Sequence, residues 1–410
     1  MSKRSSARCR LAATAMANAL GGSSGEVWPR LVGGDASRFV RRRGLAPERE
    51  ILVGLVDAEL PVLAPGLAEY DCRNNRLAAF VLDQIAAQIA AAISRFGRGR
   101  IAVVAGTSTS GVGDAEEAIR HRERTGVLPL RFRAAQLEFG GISEFVSAYL
   151  GVTGPSFTLS TACSSGARAL ASARSLLAMD MADAVVCGAA DTICGLTCNG
   201  FSSLGLIADE RTNPCSANRR GITLGEGAAF FLVTRDEDGV QLVGVGESSE
   251  AHHMSAPDPD GAGALTAMQR ALADAGLEAS DISYLNIHGT GTPANDAMEC
   301  LAIASLFGDR VPLSSTKPLT GHTLGAAGAT EAAFCAMLLE RRDAGAILVP
   351  PHRWDGAADP GLPALDFAAE GRRAMAGDTA WVMSNSFGFG GNNCSLVLAA
   401  TASQPAAGRQ

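Results

Sequence analysis

Short apolar runs alternate with alanine-rich stretches along the whole chain, and the two kinds carry different periods. Arg100–Ala105 (RIAVVA), Phe157–Ser160, Ala184–Gly188, Ala228–Val233 and Gln241–Val245 are compact and apolar enough for buried strands. Helical patterns lie between them over Leu77–Phe96, Ser165–Ala178, Gly263–Ala275 and Thr330–Arg341. In the first of these, apolar residues recur at helical spacing through Phe80, Leu82, Ile85, Ile89 and Ile93. This alternation predicts an α/β protein whose sheets are covered by helices. The charged stretch Arg235–Gly239 (RDEDG) divides the chain into residues 1–240 and 241–410, each with strands and helices in similar order. An internal structural duplication is therefore expected, although the two halves differ in sequence. The small, polar residues Thr401–Gln410 are predicted to fray.

Composition narrows the picture. Of the 410 residues, 47% are hydrophobic and only 5% aromatic, so the interior must be built from Ala, Val, Leu, Ile and Gly. A net charge of −7 argues against general affinity for nucleic acid or anionic membranes. Ten cysteines sit mostly inside apolar runs without the paired spacings of a zinc site, which reads as reduced thiols in the cytoplasm and no metal. The basic, Ala-rich N-terminus resembles a leader, but Asn18 and Gly21 interrupt its apolar run. No stretch reaches the roughly 18 apolar residues a membrane span needs. A soluble protein is expected.

Four segments carry candidate chemistry. In Pro155–Leu170 (PSFTLSTACSSGARAL), Cys163 falls at a strand-to-helix turn among small residues. The N–H groups and dipole of the following helix would lower the pKa of a thiol there, although a packed structural cysteine is the competing reading. Cys187, Cys194, Cys198 and Cys335 lack that context and read as packing residues. His288 opens a loop after the strand-like Tyr284–Ile287, and Lys317 and His322 share a second Gly/Thr-rich loop before an Ala-rich helix. Two imidazole N–H donors aimed at one thioester oxygen would stabilise the enolate left when a malonyl thioester loses carbon dioxide. Lys317, one of very few lysines, could hold a histidine and keep the site electropositive, with Glu331 as its partner. The glycine-rich turn in Met383–Leu398 (MSNSFGFGGNNCSLVL) could offer an N–H group to a tetrahedral intermediate, with Phe389 as an apolar gate.

Together, TACSSG, HGTGT, KPLTGHTLGAAG, NSFGFGGNN, LGEGAA and EVWPRLVGGDAS resemble blocks of the β-ketoacyl-acyl-carrier-protein synthases of the I and II type, in the thiolase-like superfamily. The resemblance implies a duplicated, five-layer α/β/α/β/α fold and decarboxylative Claisen condensation on Cys163, with His288, Lys317 and His322 as its catalytic partners. It implies an oxyanion hole from the N–H groups of Cys163 and Phe389, substrate contacts at Thr290, Thr292, Gly390 and Gly391, and a supporting shell of Asp296, Glu299 and Glu331. It implies no cofactor beyond the phosphopantetheine arm of an acyl carrier protein, and either a homodimer or a heterodimer with a chain-length factor. Cys215 and Ser216 stand where the family usually has an aromatic residue and an aspartate, which points away from housekeeping fatty-acid synthesis towards a polyketide-type product such as an aryl polyene. Alternative readings are a non-catalytic chain-length factor, which would lack the cysteine, and a thiolase acting on coenzyme A thioesters. Arg120, Arg122 and Arg124, or Arg131 and Arg133, are candidate docking residues for an acidic carrier.

Overall fold

The computed structural model describes residues 9–47, 49–343 and 345–401. Ten strands form one continuous sheet: β1 (Arg10–Ala17), β2 (Ile101–Gly106), β3 (Ser156–Leu159), β4 (Ala184–Asp191), β5 (Gly227–Thr234), β6 (Gln241–Ser249), β7 (Ile282–Asn286), β8 (Leu313–Ser314), β9 (Thr379–Gly388) and β10 (Asn392–Thr401). They lie in the order β8-β7-β9-β10-β6-β1-β5-β4-β2-β3. Split between β6 and β1, where Arg10 faces Gln241, the sheet becomes two sets of five. Each set runs third, second, fourth, fifth, first in chain order. Each pairs its first three neighbours in parallel and the remaining two junctions antiparallel. The duplication expected from the order of elements is thus a repeated topology, carried by backbone pairing rather than by shared side chains.

Period-two alternation sorts each strand between two apolar layers. Ile101, Val103 and Ala105 of β2 pack outward with helices α1 (Arg73–Asp83), α2 (Ala86–Phe96) and α3 (Gly141–Leu150). Ala102 and Val104 turn the other way, onto α4 (Ser165–Ala178). In the second half, α5 (Ala262–Ala275) and α6 (Pro293–Phe307) cover the outer face, where Leu285, Met383 and Val397 point. α7 (Ala327–Glu340) lies with α4 between the two halves, and every residue from Ala327 to Leu339 is buried. Helices, sheet, paired central helices, sheet and helices make the five layers.

The single helix expected over Leu77–Phe96 is two, α1 and α2, broken at Gln84–Ile85 and bent by 76°. The apolar stripe continues unbroken because Leu82, Ile85 and Ile89 all enter the same cluster, so the break is invisible to periodicity. The bend wraps both helices onto one sheet face. Among the described residues no single helix is long and apolar enough to cross a membrane. Of the tail expected to fray, Thr401 ends β10 opposite Thr379, and residues 402–410 lie outside the described residues.

The central helices meet at their N-terminal ends. A Cβ on Gly166 would come within 2.6 Å of Ala329 N, and one on Gly328 within 2.7 Å of Ala167 N. Backbone meets backbone there, so no side-chain movement relieves an added methyl. Gly166→Ala is expected to lower stability by about 1–3 kcal/mol in urea unfolding. Gly377→Ala, whose Cβ meets nothing within 4 Å, should stay within about 0.5 kcal/mol of the parent chain. Equal midpoints for the two variants would disprove the tight contact.

Candidate active site

The turn carrying Cys163 is braced by the start of its own helix. Ser165 Oγ accepts the Thr161 N–H at 2.9 Å and donates to the Ala162 carbonyl at 2.6 Å, while Ser164 Oγ donates to the Thr161 carbonyl at 2.8 Å. These bonds hold Ala162 at φ +52°, a conformation uncommon outside glycine, and that twist turns Cys163 inward. The backbone N–H groups of Cys163 and Phe389 both point at the Cys163 sulfur. They are the two groups assigned by resemblance to an oxyanion hole.

From the second half come the histidines. His322 Nε2 lies 3.0 Å from Cys163 Sγ, and the His288 and His322 rings stand 5.4 Å apart, almost perpendicular. Lys317, one of two lysines in the chain, is fully buried behind them. Its ammonium donates to Glu331 at 2.6 Å and to the His288 carbonyl, and its third contact is His288 Nδ1 at 3.3 Å. An ammonium can only donate, so Nδ1 of His288 accepts and its proton sits on Nε2. His288 therefore presents an N–H donor. His322 Nδ1 is buried with no hydrogen-bond partner, so no such contact dictates its tautomer.

The acids of α6 hold the loop rather than the lysine. Glu299 accepts the N–H groups of His288 and Gly289, both at 2.7 Å, and Asp296 accepts those of Gly291 and Cys215. Burial raises the pKa of Asp296 and Glu331 and pushes Glu299 up to about 7. Of the three expected supporting acids, only Glu331 touches Lys317.

Burial also decides the resting protonation of the site. It pushes the Cys163 thiol up to about 11, against the opposing pull of Lys317 and of the Phe389 and Cys163 N–H groups. The thiol-lowering effect expected from the helix end is therefore outweighed, because the side chain is only 5% exposed. Burial and the Lys317 charge hold both His288 and His322 well below 6.5. At rest the trio is uncharged. The ligand atoms of Cys163, His288 and His322 lie within 4.8 Å of one another, close enough to hold a metal ion, but a cation there would sit beside the Lys317 ammonium.

A cavity of about 320 Å³ opens onto these groups. Thr290, Thr292, Phe389, Gly390 and Gly391 line it with Cys163, His288 and His322, and Phe201, Leu206, Ile222, Met298 and Phe387 make its apolar wall. Phe201 and Phe387 were not singled out in the sequence. Phe387 stands in the FGFGG motif with its ring centre 6.1 Å from that of His288 at a steep angle, and Phe201, 5.5 Å from the Phe389 ring, has no motif to mark it. The two departures lie nearby: Cys215 Sγ is 3.6 Å from Cys300 Sγ, and Ser216 donates to Asp355. The arginine clusters flank other grooves. Arg120 lines one of about 1420 Å³ between helices Val112–Thr125 and Gly195–Ser203, which contains none of the residues around Cys163.

Known proteins place this geometry in a family. Residues 86–239 match the Beta-ketoacyl synthase N-terminal domain and residues 240–348 its C-terminal domain. The 3-oxoacyl-[acyl-carrier-protein] synthase 2 of Coxiella burnetii (strain RSA 493 / Nine Mile phase I) is 37% identical over 276 residues, 62% of this chain and 64% of that protein. The match thus spans a little under two thirds of that relative's length. The ketosynthase ApeO, solved in complex with its chain length factor ApeC from Xenorhabdus doucetiae, is 42% identical with a TM-score of 0.91, over 98% of this chain and 100% of that one. The ishigamide ketosynthase/chain length factor is 25% identical with a TM-score of 0.82, over 97% and 100%. With both halves matched in order and the thiolase-like architecture complete, this chain belongs to the β-ketoacyl synthase family.

Proposed function

We propose that the chain is a β-ketoacyl-acyl-carrier-protein synthase that catalyses decarboxylative Claisen condensation. The observation that carries this reading is the 3.0 Å contact between His322 Nε2 and Cys163 Sγ beneath two backbone N–H groups, beside an imidazole whose N–H donor state is dictated by Lys317. Loading begins when Cys163 passes its proton to His322 and attacks the acyl thioester. The Cys163 and Phe389 N–H groups take the negative oxygen, and the carrier thiolate leaves with the proton from His322. A malonyl thioester then loses carbon dioxide, and the electron pair moves onto its thioester oxygen against the N–H donors of His288 and of His322, whose ring proton, held by no partner at Nδ1, stands on Nε2 for this step. The enolate carbon attacks the acyl group on Cys163, the oxyanion again meets the two backbone N–H groups, and its collapse frees the thiolate. One proton is taken up, and the product is a 3-oxoacyl thioester two carbons longer.

Both acyl units ride on the phosphopantetheine arm of acyl carrier protein, past Thr290 and Thr292, and no further cofactor enters the cycle. The growing chain is of fatty-acid or polyketide type. An aryl polyene is the finer reading, supported by the Phe201 and Phe389 rings, which could stack on a flat conjugated chain. The reaction takes place in the cytoplasm. A second ketosynthase-like chain, a copy of this one or a chain-length factor, covers the free edge of β3, where Phe157 is exposed. Retention of Cys163 speaks against this chain being the silent subunit itself.

Cys163→Ser should abolish acyl loading and condensation, read by mass spectrometry of the intact chain and by product formation. Cys163→Gln, which resembles an acylated cysteine in shape, should keep or raise malonyl decarboxylation while condensation disappears; a glutamine variant that condenses normally would end the nucleophile assignment. His288→Ala should slow carbon dioxide release roughly 100- to 1000-fold, with loading much less affected. Carbon dioxide release at the parent rate would exclude His288 from the enolate site.

A further inference from the structure

His352 lies beyond the residues that match the family and contributes nothing to the cavity wall, yet it is buried beside the active-site loops. Its Nε2 is 3.0 Å from the Pro214 carbonyl, which can only accept, so Nε2 carries the proton. Nδ1 is then bare and accepts the Ser315 N–H at 3.2 Å. Burial pushes its pKa down to about 4, so near neutral pH the ring keeps this one donor and one acceptor. Phe367, with its ring centre 4.5 Å away, and Trp354, at 5.6 Å, fix the plane of the imidazole.

Both bonded partners lead to the enolate side of the site. Ser315 Oγ donates to the Gly289 carbonyl at 2.7 Å and accepts the Lys317 N–H at 3.3 Å, so one hydroxyl ties the loop of His288 to the loop of Lys317. Pro214 precedes Cys215, whose N–H donates to Asp296, the acid that also holds Gly291. Among the described residues, the hydrogen bonds and ring contacts of His352 do not reach the turn of Cys163. We propose that His352 is a positioning residue that acts through Ser315 to set Lys317 against His288, and so governs decarboxylation without governing acyl loading. This rests on the condensing reading above.

The test separates the two half-reactions. His352→Phe keeps a ring against Phe367 and Trp354 and removes both hydrogen bonds. In a Cys163→Gln background it should slow malonyl decarboxylation about tenfold, roughly the effect of one buried hydrogen bond. In the chain with Cys163 present, acyl loading should stay within about twofold of the parent. His352→Gln, which restores a donor and an acceptor, should recover part of the loss. Ser315→Ala should give the same split, and combining it with His352→Phe should be little slower than Ser315→Ala alone, because coupled residues do not add. Undiminished carbon dioxide release in His352→Phe, loading and decarboxylation falling in parallel, or losses that multiply in the double variant would each overturn the proposal. If His352→Phe does not accumulate as folded protein, Ser315→Ala and His352→Gln carry the same comparison. A Cys163→Gln parent that releases no carbon dioxide would remove the condensing reading itself, whereas a competent parent indifferent to His352→Phe removes only the role of His352.

Discussion

The contact between the two central helices sets how the two halves of the site meet. Gly166 and Gly328 let α4 and α7 touch backbone to backbone at their N-terminal ends, where any larger residue would force them apart. Each helix begins just after a loop that bears chemistry: Cys163 ahead of α4, Lys317 and His322 ahead of α7. Drawing the helix ends together thus brings a sulfur and an imidazole 159 residues apart in the chain to 3.0 Å. The repeated topology makes these equivalent loops, each joining the third strand of its half to the central helix. A small error in helix spacing would be passed directly to the reacting atoms, which explains why the contact is made by backbone and not by adaptable side chains.

The same equivalence shows how the halves have diverged. His288 follows the second strand of its half, and Thr107–Ser110 follows the second strand of the other. In the first half that turn folds around the buried Asp191 carboxylate, which accepts from Thr107, Ser108 and Thr109 and also takes the Ala326 N–H ahead of α7. In the second half the turn carries the histidine, and Glu299 from α6 does the holding. Both arrangements place a buried carboxylate beneath backbone N–H groups. Only one leaves a side chain free for substrate.

What could be read from sequence divides along the same physical line. Cys163, His288, Lys317, His322 and Glu331 sit in local patterns whose chemistry is stated by residue type, and all of them meet in one place. Strand and helix runs were legible because burial imposes a period on them. The break at Gln84–Ile85 was not, since both helices present one continuous apolar stripe to the same sheet. The direction of the thiol shift was misread because a helix end can be inferred from the chain, whereas desolvation depends on what closes over the sulfur. His352 and Ser315 were missed for a related reason: each is an ordinary polar residue in a loop, and the role of each follows only from partners far away in the sequence.

The site is built in two separately braced parts that meet at His322. The nucleophile turn is held by Ser164, Ser165 and the strained Ala162, all within its own few residues, and its N–H donors come from Cys163 itself and from the hairpin at Phe389. The enolate side is held by Glu299, Glu331 and Ser315, which reach Lys317 and His288 without touching that turn. The hydrogen-bond contact of His322 with Cys163 joins them. Such a division suits a reaction with two successive negative oxygens. Because every donor is a neutral N–H in a desolvated cavity, each oxyanion of the proposed reaction would be stabilised where it forms, and the resting site carries no unpaired charge there. Lys317 is the exception that makes this possible: its charge is neutralised by Glu331, and its remaining protons are spent on fixing the orientation and tautomer of His288.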